Sequence, residues 1–242
     1  MKIWALSDLH LASTRAKTMG MFGDRWANHE DRMAAAWDEV VADDDVVLSP
    51  GDVSWAMKPA EMAGDLQWLA ARPGTTILVK GNHDFWWPKT RRQLAALLPE
   101  GVLAVKKNAL VVEQDGKRLG LFGCRGGDFR ASPEYGDERS ADDIETWLAR
   151  EERELRASLT DLQGRPPCDL VICLFHYPPI PPAGQTSRFT PLIAEGGAAH
   201  CVYGHLHGNV GASKVEGVID GVKYLCASCD QIDFRPVLIA EL

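Results

Sequence analysis

The sequence predicts an α/β chain in which two packed sheets carry helices on their outer faces. Three observations lead there. Short runs rich in Val, Ile and Leu recur, each bounded by Gly, Pro or Asp, as in Val46-Val47-Leu48 and Thr76-Ile77-Leu78-Val79; such runs read as buried strands. Between residues 2 and 98 they alternate three times with helical patterns, which implies a parallel sheet with right-handed crossovers. Beyond residue 100 the strands come closer together, and Asp115-Gly116 and Asp220-Gly221 supply hairpin turns.

Taken in order, residues 2–7 are the first strand and residues 9–27, with Gly20 and Gly23, a loop or short lid. Asn28 caps a helix running to about residue 42, whose apolar side is Met33, Ala36, Trp37, Val40 and Val41. Asp43-Asp44-Asp45 reads as a solvated turn before the second strand. Pro59 opens a second helix with Met62, Leu66 and Leu69 facing inward, and Pro73-Gly74 ends it. Pro88 starts a third helix through Leu98. Strands follow at 102–105, 109–113 and 117–123, then a long loop at 125–139 and a helix over 141–162. The last strands fall at 169–175, 200–203, 213–219, 222–227 and 236–240. Pro178-Pro179-Ile180-Pro181-Pro182 can be neither helix nor central strand. With no repeat or linker, residues 1–242 read as a single domain.

Composition narrows the function. The chain has 242 residues, 45% hydrophobic, and a formal net charge of −8. That is ample for a core and lacks the basic excess of a long nucleic-acid footprint. No apolar run reaches the length of a membrane span, and the N-terminal run meets Asp8 too soon for a signal peptide, so a cytoplasmic protein is expected. There, the 6 Cys are expected to be reduced and to lie in or near the core; Cys226-x-x-Cys229 has no second pair nearby to complete a zinc site.

Five short stretches carry the chemistry: Ser7-Asp8-Leu9-His10, Gly51-Asp52, Gly81-Asn82-His83-Asp84, His176-Tyr177 and Gly204-His205-Leu206-His207. Each directly follows an apolar run, and α/β sheets place ligand sites just beyond the carboxyl ends of strands. Of the 7 His in the chain, only His29 and His200 lie outside these stretches, and both read as surface or core residues. Imidazole and carboxylate suit manganese, iron, zinc or cobalt, and an amide oxygen fits the harder end of that range. Asp8-x-His10 can offer two ligands to one ion, Asp52 has two oxygens able to bridge ions, and Asn82 can offer its amide oxygen to a second. His205-x-His207 projects two imidazoles from one extended segment.

The order Asp-x-His, Gly-Asp, Gly-Asn-His-Asp, His, Gly-His-x-His over residues 8–207 resembles the calcineurin-like metallophosphoesterase superfamily. The resemblance implies a four-layer αββα sandwich with two mixed sheets, and a pair of divalent transition-metal ions, manganese favoured. It implies that Asp8, His10, Asp52 and His207 hold one ion, and that Asp52, Asn82, His176 and His205 hold the other, with Asp52 bridging. The ions would activate water for in-line attack on a phosphoester of a small mono- or diester substrate, nucleotide-like ones included. His83 would donate a proton to the leaving group or stabilise its charge, with Asp84 hydrogen-bonded to it; this His–Asp pair is a family feature. Gly51-Asp52-Val53 lacks the Asp-Arg-Gly of the protein Ser/Thr phosphatases, and His83 stands where the lipid A precursor hydrolases tend to have Arg. The pattern is most similar to small bacterial predicted phosphohydrolases.

Around these motifs, Trp86 and Trp87 either stack on substrate or wall the cleft, the second being the plainer reading. Arg15, Arg25 and Arg125 are candidate substrate contacts in loops, alongside Lys17, Arg130 and Arg188. A nuclease of the same chemistry, or a scaffold that kept the fold, are the alternatives. The first wants a basic track, and the second commonly loses ligands that this chain retains. The sequence points to no protein partner, and neither a nucleic acid nor a membrane is expected as one.

Overall fold

The computed structural model describes residues 1–14, 19–129, 139–182 and 186–242. Among these, two sheets form the frame. The first has five strands in the order β11 (Val237–Glu241), β1 (Lys2–Ala5), β2 (Val46–Ser49), β3 (Thr75–Leu78), β4 (Val102–Ala104). The run β1 to β4 is parallel, as the strand–helix alternation predicts, and β11 closes it antiparallel to β1. The second has six strands in the order β5 (Leu110–Gln114), β6 (Lys117–Cys124), β7 (Leu170–Phe175), β8 (His200–Tyr203), β10 (Val222–Cys226), β9 (Gly217–Ile219). Its middle is parallel and its two hairpins, β5–β6 and β9–β10, turn at the predicted Asp-Gly pairs.

Strand alternation explains the layers. Ile3, Ala5, Val46, Leu48 and Ile77 face one way and meet Leu119, Leu121, Ile172, Leu174 and Val202 of the second sheet in a dry layer between the sheets. The alternate residues Val47 and Leu78 face outward and pack under helices α1 (His29–Val40), α2 (Ala63–Ala70) and α3 (Arg91–Leu97), against Met33, Trp37, Leu66, Leu69 and Leu94. On the far side Phe122, Cys173 and Phe175 lie under α4 (Ala141–Gln163) and α5 (Thr190–Glu195). Leu148, Leu155, Leu159 and Leu162 line the inner stripe of α4, each contributing about 1.5–3 kcal/mol by burial. This is the four-layer αββα arrangement.

Several local expectations need correction. Asn28 sits at the start of α1 in a left-handed conformation (φ 50°), and its side chain caps nothing. The third helix starts at Arg91 rather than after Pro88, because Thr90 and Gln93 form a reciprocal capping box there. The short α5 gives no periodic signal in six residues. The acidic triplet is not uniformly solvated. Asp43 and Asp44 are exposed, but Asp45 is buried. Its carboxylate accepts from the Lys2 N–H at 2.7 Å, the Trp4 indole at 3.0 Å and the Ala42 N–H at 3.0 Å. It therefore ties β1 to the turn that enters β2. All six Cys are free thiols, and five are buried. No described helix is long and apolar enough to cross a membrane.

Burial pushes the Asp45 carboxyl up, but N–H bonds from Ala42, Trp4 and Lys2 outweigh it and hold the group below its ordinary value of 3.8. Its stabilisation is therefore present above the unfolded value of about 3.9 and is lost as the pH falls through the lower folded one. Asp45→Ala should cost about 2–4 kcal/mol in urea unfolding at pH 7, and the penalty should shrink below about pH 4. Asp43→Ala and Asp44→Ala should stay within about 0.5 kcal/mol of the parent.

Candidate metal centre

The parallel strands of both sheets end at one rim. The sheets are stitched together there, with the Ser7 N–H bonded to the Ala227 carbonyl at 2.7 Å and the Cys229 N–H to the Ser7 carbonyl at 3.0 Å. The loops after β1, β2, β3, β7 and β8 bring Asp8 and His10, Asp52, Asn82, His176, and His205 and His207 to this seam. Turning the chain sharply enough requires unusual backbone. Asp8 (φ 59°), His10 (47°), Asp52 (52°) and His205 (72°) are all left-handed. Non-glycine residues rarely hold this region, and such strain concentrates at functional sites. Close approach explains the glycines preceding the motif residues. A Cβ on Gly81 would collide with the Asp52 carboxylate, and one on Gly204 with the Asp8 carboxylate.

The seven residues expected as ligands converge in two groups. In one, His10 Nε2 and His207 Nε2 are 3.2 Å apart, and His207 Nε2 is 3.5 Å from Asp8 Oδ1. In the other, Asn82 Oδ1 is 2.6 Å from His176 Nε2 and 2.9 Å from His205 Nδ1. Asp52 stands between them, with Oδ2 3.9 Å from His10 Nε2 and Oδ1 3.6 Å from His176 Nε2. Ligand atoms of Asp8, His10 and His207 all lie within 4.8 Å of one another, and so do those of Asp8, Asp52 and His176. Asp8 thus borders both groups. Its two oxygens also accept from the His205 N–H at 3.0 and 3.1 Å, which locks the last motif onto the first.

The electrostatics suit a cation. Asp8, Asp52 and Asp84 are each at most 1% exposed, so three carboxylates share one dry region. Burial, together with repulsion from Asp8 and Asp84, drives the Asp52 carboxyl well above its ordinary range. Burial also lowers His10, His176 and His205, which keeps their imidazoles neutral and their lone pairs available. Burial opposes charge on His207 too, yet hydrogen bonds to Asp230 and Asp8 outweigh it and push this histidine up to about 10. The pocket thus draws positive charge onto itself. Neutral imidazoles, carboxylates and an amide oxygen make a donor set fit for a divalent transition metal.

Neighbouring residues show what the motifs alone did not. Asp230, beyond the end of β10, accepts from His207 Nδ1 at 2.7 Å and from the Gly208 N–H at 2.8 Å. It fixes the imidazole so that Nε2 faces Asp8. Asp128, beyond β6, lies 3.7 Å from His205 Nε2. Both obey the strand-end rule that revealed the motifs; Asp230 carries no His or Gly signature, whereas Asp128 follows Gly126-Gly127 and could have been found by the Gly-Asp pattern that marks Asp52. The loop read as a lid contributes Trp26, buried edge-on to His207 at 5.4 Å and to His10 at 6.1 Å. Trp55 stacks on His10 at 4.8 Å, and Tyr177 lies tilted against His205 at 4.2 Å. His29 is buried with Nε2 3.2 Å from the Leu9 carbonyl, a core histidine as expected.

Other expectations change. The carboxylate of Asp84, expected against His83, is held by backbone N–H groups and by Trp86. Its Oδ2 accepts from the Gly81 N–H at 2.7 Å and the Asp52 N–H at 2.9 Å, and its Oδ1 from the Val53 N–H and the Trp86 indole, both at 2.9 Å. Four donors fill a carboxylate's acceptor sites. Trp86 is 0% exposed and so is core, not a substrate contact. His83 itself is half-buried, its ring 4.4 Å from Trp55 and 5.7 Å from His10. Arg25 donates to the Asp230 carbonyl, at the edge of the site. Arg125 donates to Glu151 at 2.8 Å, in a separate cavity. Arg15 lies outside the described residues.

Known proteins agree with this picture. A profile of the calcineurin-like phosphoesterase family matches residues 1–209. The chain is 36% identical over 88 residues to the gene 66 protein of Mycobacterium phage L5, covering 36% of this chain and 42% of that one. It is 39% identical over 85 residues to the gene 66 protein of phage D29, covering 34% and 40%. The matched segment thus spans less than half of these relatives. The fold is shared with a phosphopantetheinyl hydrolase of Mycobacterium tuberculosis (TM-score 0.56, 19% identity, 98% of this chain and 95% of that one). It is also shared with a Thermus thermophilus protein, TT1561 (TM-score 0.52, 17% identity, 87% and 85%). The strand-end motifs, the buried Asp and His cluster and the family profile lead to one conclusion: this chain belongs to the calcineurin-like phosphoesterase family.

Proposed function

We propose that residues 1–242 act as one catalytic domain that hydrolyses a phosphoester of a small substrate at a dinuclear centre. In this reading Asp8, His10, Asp52 and His207 hold one ion, and Asp52, Asn82, His176 and His205 the other. The observation that carries it is the placement of Asp52, with one oxygen turned toward His10 and the other toward His176. Asp8 borders both groups as well, and its two oxygens share the single His205 N–H. Bound divalent ions, manganese favoured, supply an acidified water and positive charge for the phosphoryl oxygens.

The chain's own residues complete the chemistry. His83, beside the seam and free of a ligand role, delivers a proton to the leaving oxygen. Its backbone N–H donates to Asp52 Oδ1 at 2.8 Å, which couples the proton donor's position to the bridge. Trp55 lies against both the His83 and His10 rings and restrains their tilt. Asp230 orients His207, and the Pro50 carbonyl, 3.1 Å from His176 Nδ1, does the same for His176. These contacts fix which nitrogen of each ring faces the centre.

Four outcomes test this. Exhaustive chelation should abolish turnover of aryl phosphates, with recovery on adding manganese, cobalt, zinc or iron, and Asp52→Asn should lose turnover and paired metal together. Full activity in Asp52→Asn would remove Asp52 from the bridge. His83→Ala should keep its metal content, measured by elemental analysis, while kcat falls by about 10²–10⁴-fold. Asp230→Asn should fold normally and weaken metal affinity by about 10–100-fold, read by competition with a chromogenic chelator.

A further inference from the structure

A second cavity lies along the same rim, between the ends of β3 and β4, the end of β6, and α4. Its volume is about 270 Å³. That exceeds the roughly 30 Å³ share of one water several-fold, so it admits a polyatomic ligand. Five cationic side chains line it, Lys80, Lys106, Lys107, Arg125 and Arg150, against two carboxylates, Glu151 and Glu154. In a chain of net charge −8 this concentration of positive charge is local and unexpected.

The pairing inside the cavity is incomplete. Arg125 and Arg150 both donate to the same oxygen of Glu151, at 2.8 and 3.0 Å. Lys107 pairs with Glu154 at 3.3 Å. The side-chain ammonium groups of Lys80 and Lys106, both half-buried, have no hydrogen bond or ion pair among the described residues. Among the described residues the Arg125 Nε is buried without an acceptor. Glu151 is 3% exposed, and its second oxygen is buried without a donor among the described residues. An ammonium or guanidinium that is desolvated and unpaired is costly unless an anion meets it. The free oxygen of Glu151 asks for a proton donor beside that anion.

We propose that this cavity is an oxyanion-binding site for a phosphate-type group carrying a protonated oxygen, distinct from the metal centre. Lys80, Lys106 and the Arg125 Nε meet its charge, and Glu151 accepts its proton-bearing oxygen. The site communicates with the centre through the backbone. Lys80 precedes the Gly81-Asn82 motif, and the Arg125 carbonyl accepts from the N–H groups of His176 at 3.2 Å and Tyr177 at 2.9 Å. The ligand is either a second phosphate on the substrate or free phosphate. Both share one chemistry; the first rests on the hydrolytic reading above, and the second does not.

The test uses inorganic phosphate as probe on the metal-loaded chain, followed through the backbone amide resonances of Lys106, Gly123 and Glu154. Saturable shifts that weaken with added salt are expected, and the double variant Lys106→Gln with Arg150→Gln should lower the affinity by about tenfold or more. The single variant Lys106→Gln, which keeps the Glu151 pairs, guards against a folding defect and should weaken binding in the same direction. No saturable shift at these amides, or equal affinity in folded variants, overturns the site. A kinetic arm then identifies the source. A KM raised only for a bis-phosphorylated substrate, at constant kcat, assigns the ligand to the substrate. Loss of a phosphate effect on turnover of a monophosphorylated one assigns it to free phosphate.

Discussion

The carboxylate of Asp84 holds the site together. Its four short hydrogen bonds gather the backbone of Gly81, Asp52 and Val53 and the indole of Trp86 around one buried charge. That places the loop after β2 and the loop after β3 in fixed register, so that Asp52 and Asn82 arrive together. Hydrogen bonds to a charged group are each worth about 1.5–3 kcal/mol, and a buried carboxylate without them would be intolerable. Burial still raises the Asp84 carboxyl, which shows that the N–H donors only partly offset its desolvation. Asp8 plays the parallel role on the other side, fastening the last motif to the first. Two buried acids thus do by hydrogen bonding what the sheets alone could not, since the sheets position strand ends only to within a loop's slack.

Rigidity of that kind accounts for the strained backbone. Four residues of the candidate metal centre sit at positive φ, at of order 1–3 kcal/mol each. The ladder bonds that continue past the strands, such as Asp8 N–H to the Gly51 carbonyl and His10 N–H to the Asp52 carbonyl, both 3.0 Å, fix that geometry. The glycines at 81 and 204 let carboxylates lie directly against backbone. The dry layer between the sheets provides the stiffness against which these loops are braced.

Much of this was legible in the chain. The apolar runs located the strands, the switch to Asp-Gly hairpins marked the second sheet, and the position of each motif after a strand brought seven side chains to one rim. What escaped had physical reasons. Asp230 and Asp128 act through tertiary contacts, and an isolated Asp after a strand is indistinguishable from a turn residue. Asp84 was placed beside His83 because sequence adjacency suggests contact, whereas the turn sends its carboxylate back under the 52–54 backbone. Trp86, adjacent to the motif, goes into the core because its indole has a partner there in Asp84. Asp45 was hidden by two exposed neighbours of the same type. In each case the deciding term was which donor or acceptor a side chain reaches in three dimensions, which spacing along the chain does not encode.

The charge pattern of the rim decides how a phosphorylated ligand must approach. The buried Asp8 carboxylate repels it, and so does Asp52 once ionised; two like unit charges at 4 Å cost about 4 kcal/mol at an effective dielectric of 20. The imidazoles do not offset this, because burial keeps His10, His176 and His205 neutral. Among the ligand imidazoles it is His207 that is held charged, and it is already matched by Asp8 and Asp230. The ligand side chains by themselves therefore give an anion little to rest on at the seam. Divalent cations invert the local sign, and the same carboxylates that repel the ligand are what would retain them. Metal binding and phosphoryl recognition are on this account one electrostatic event rather than two independent properties of the site.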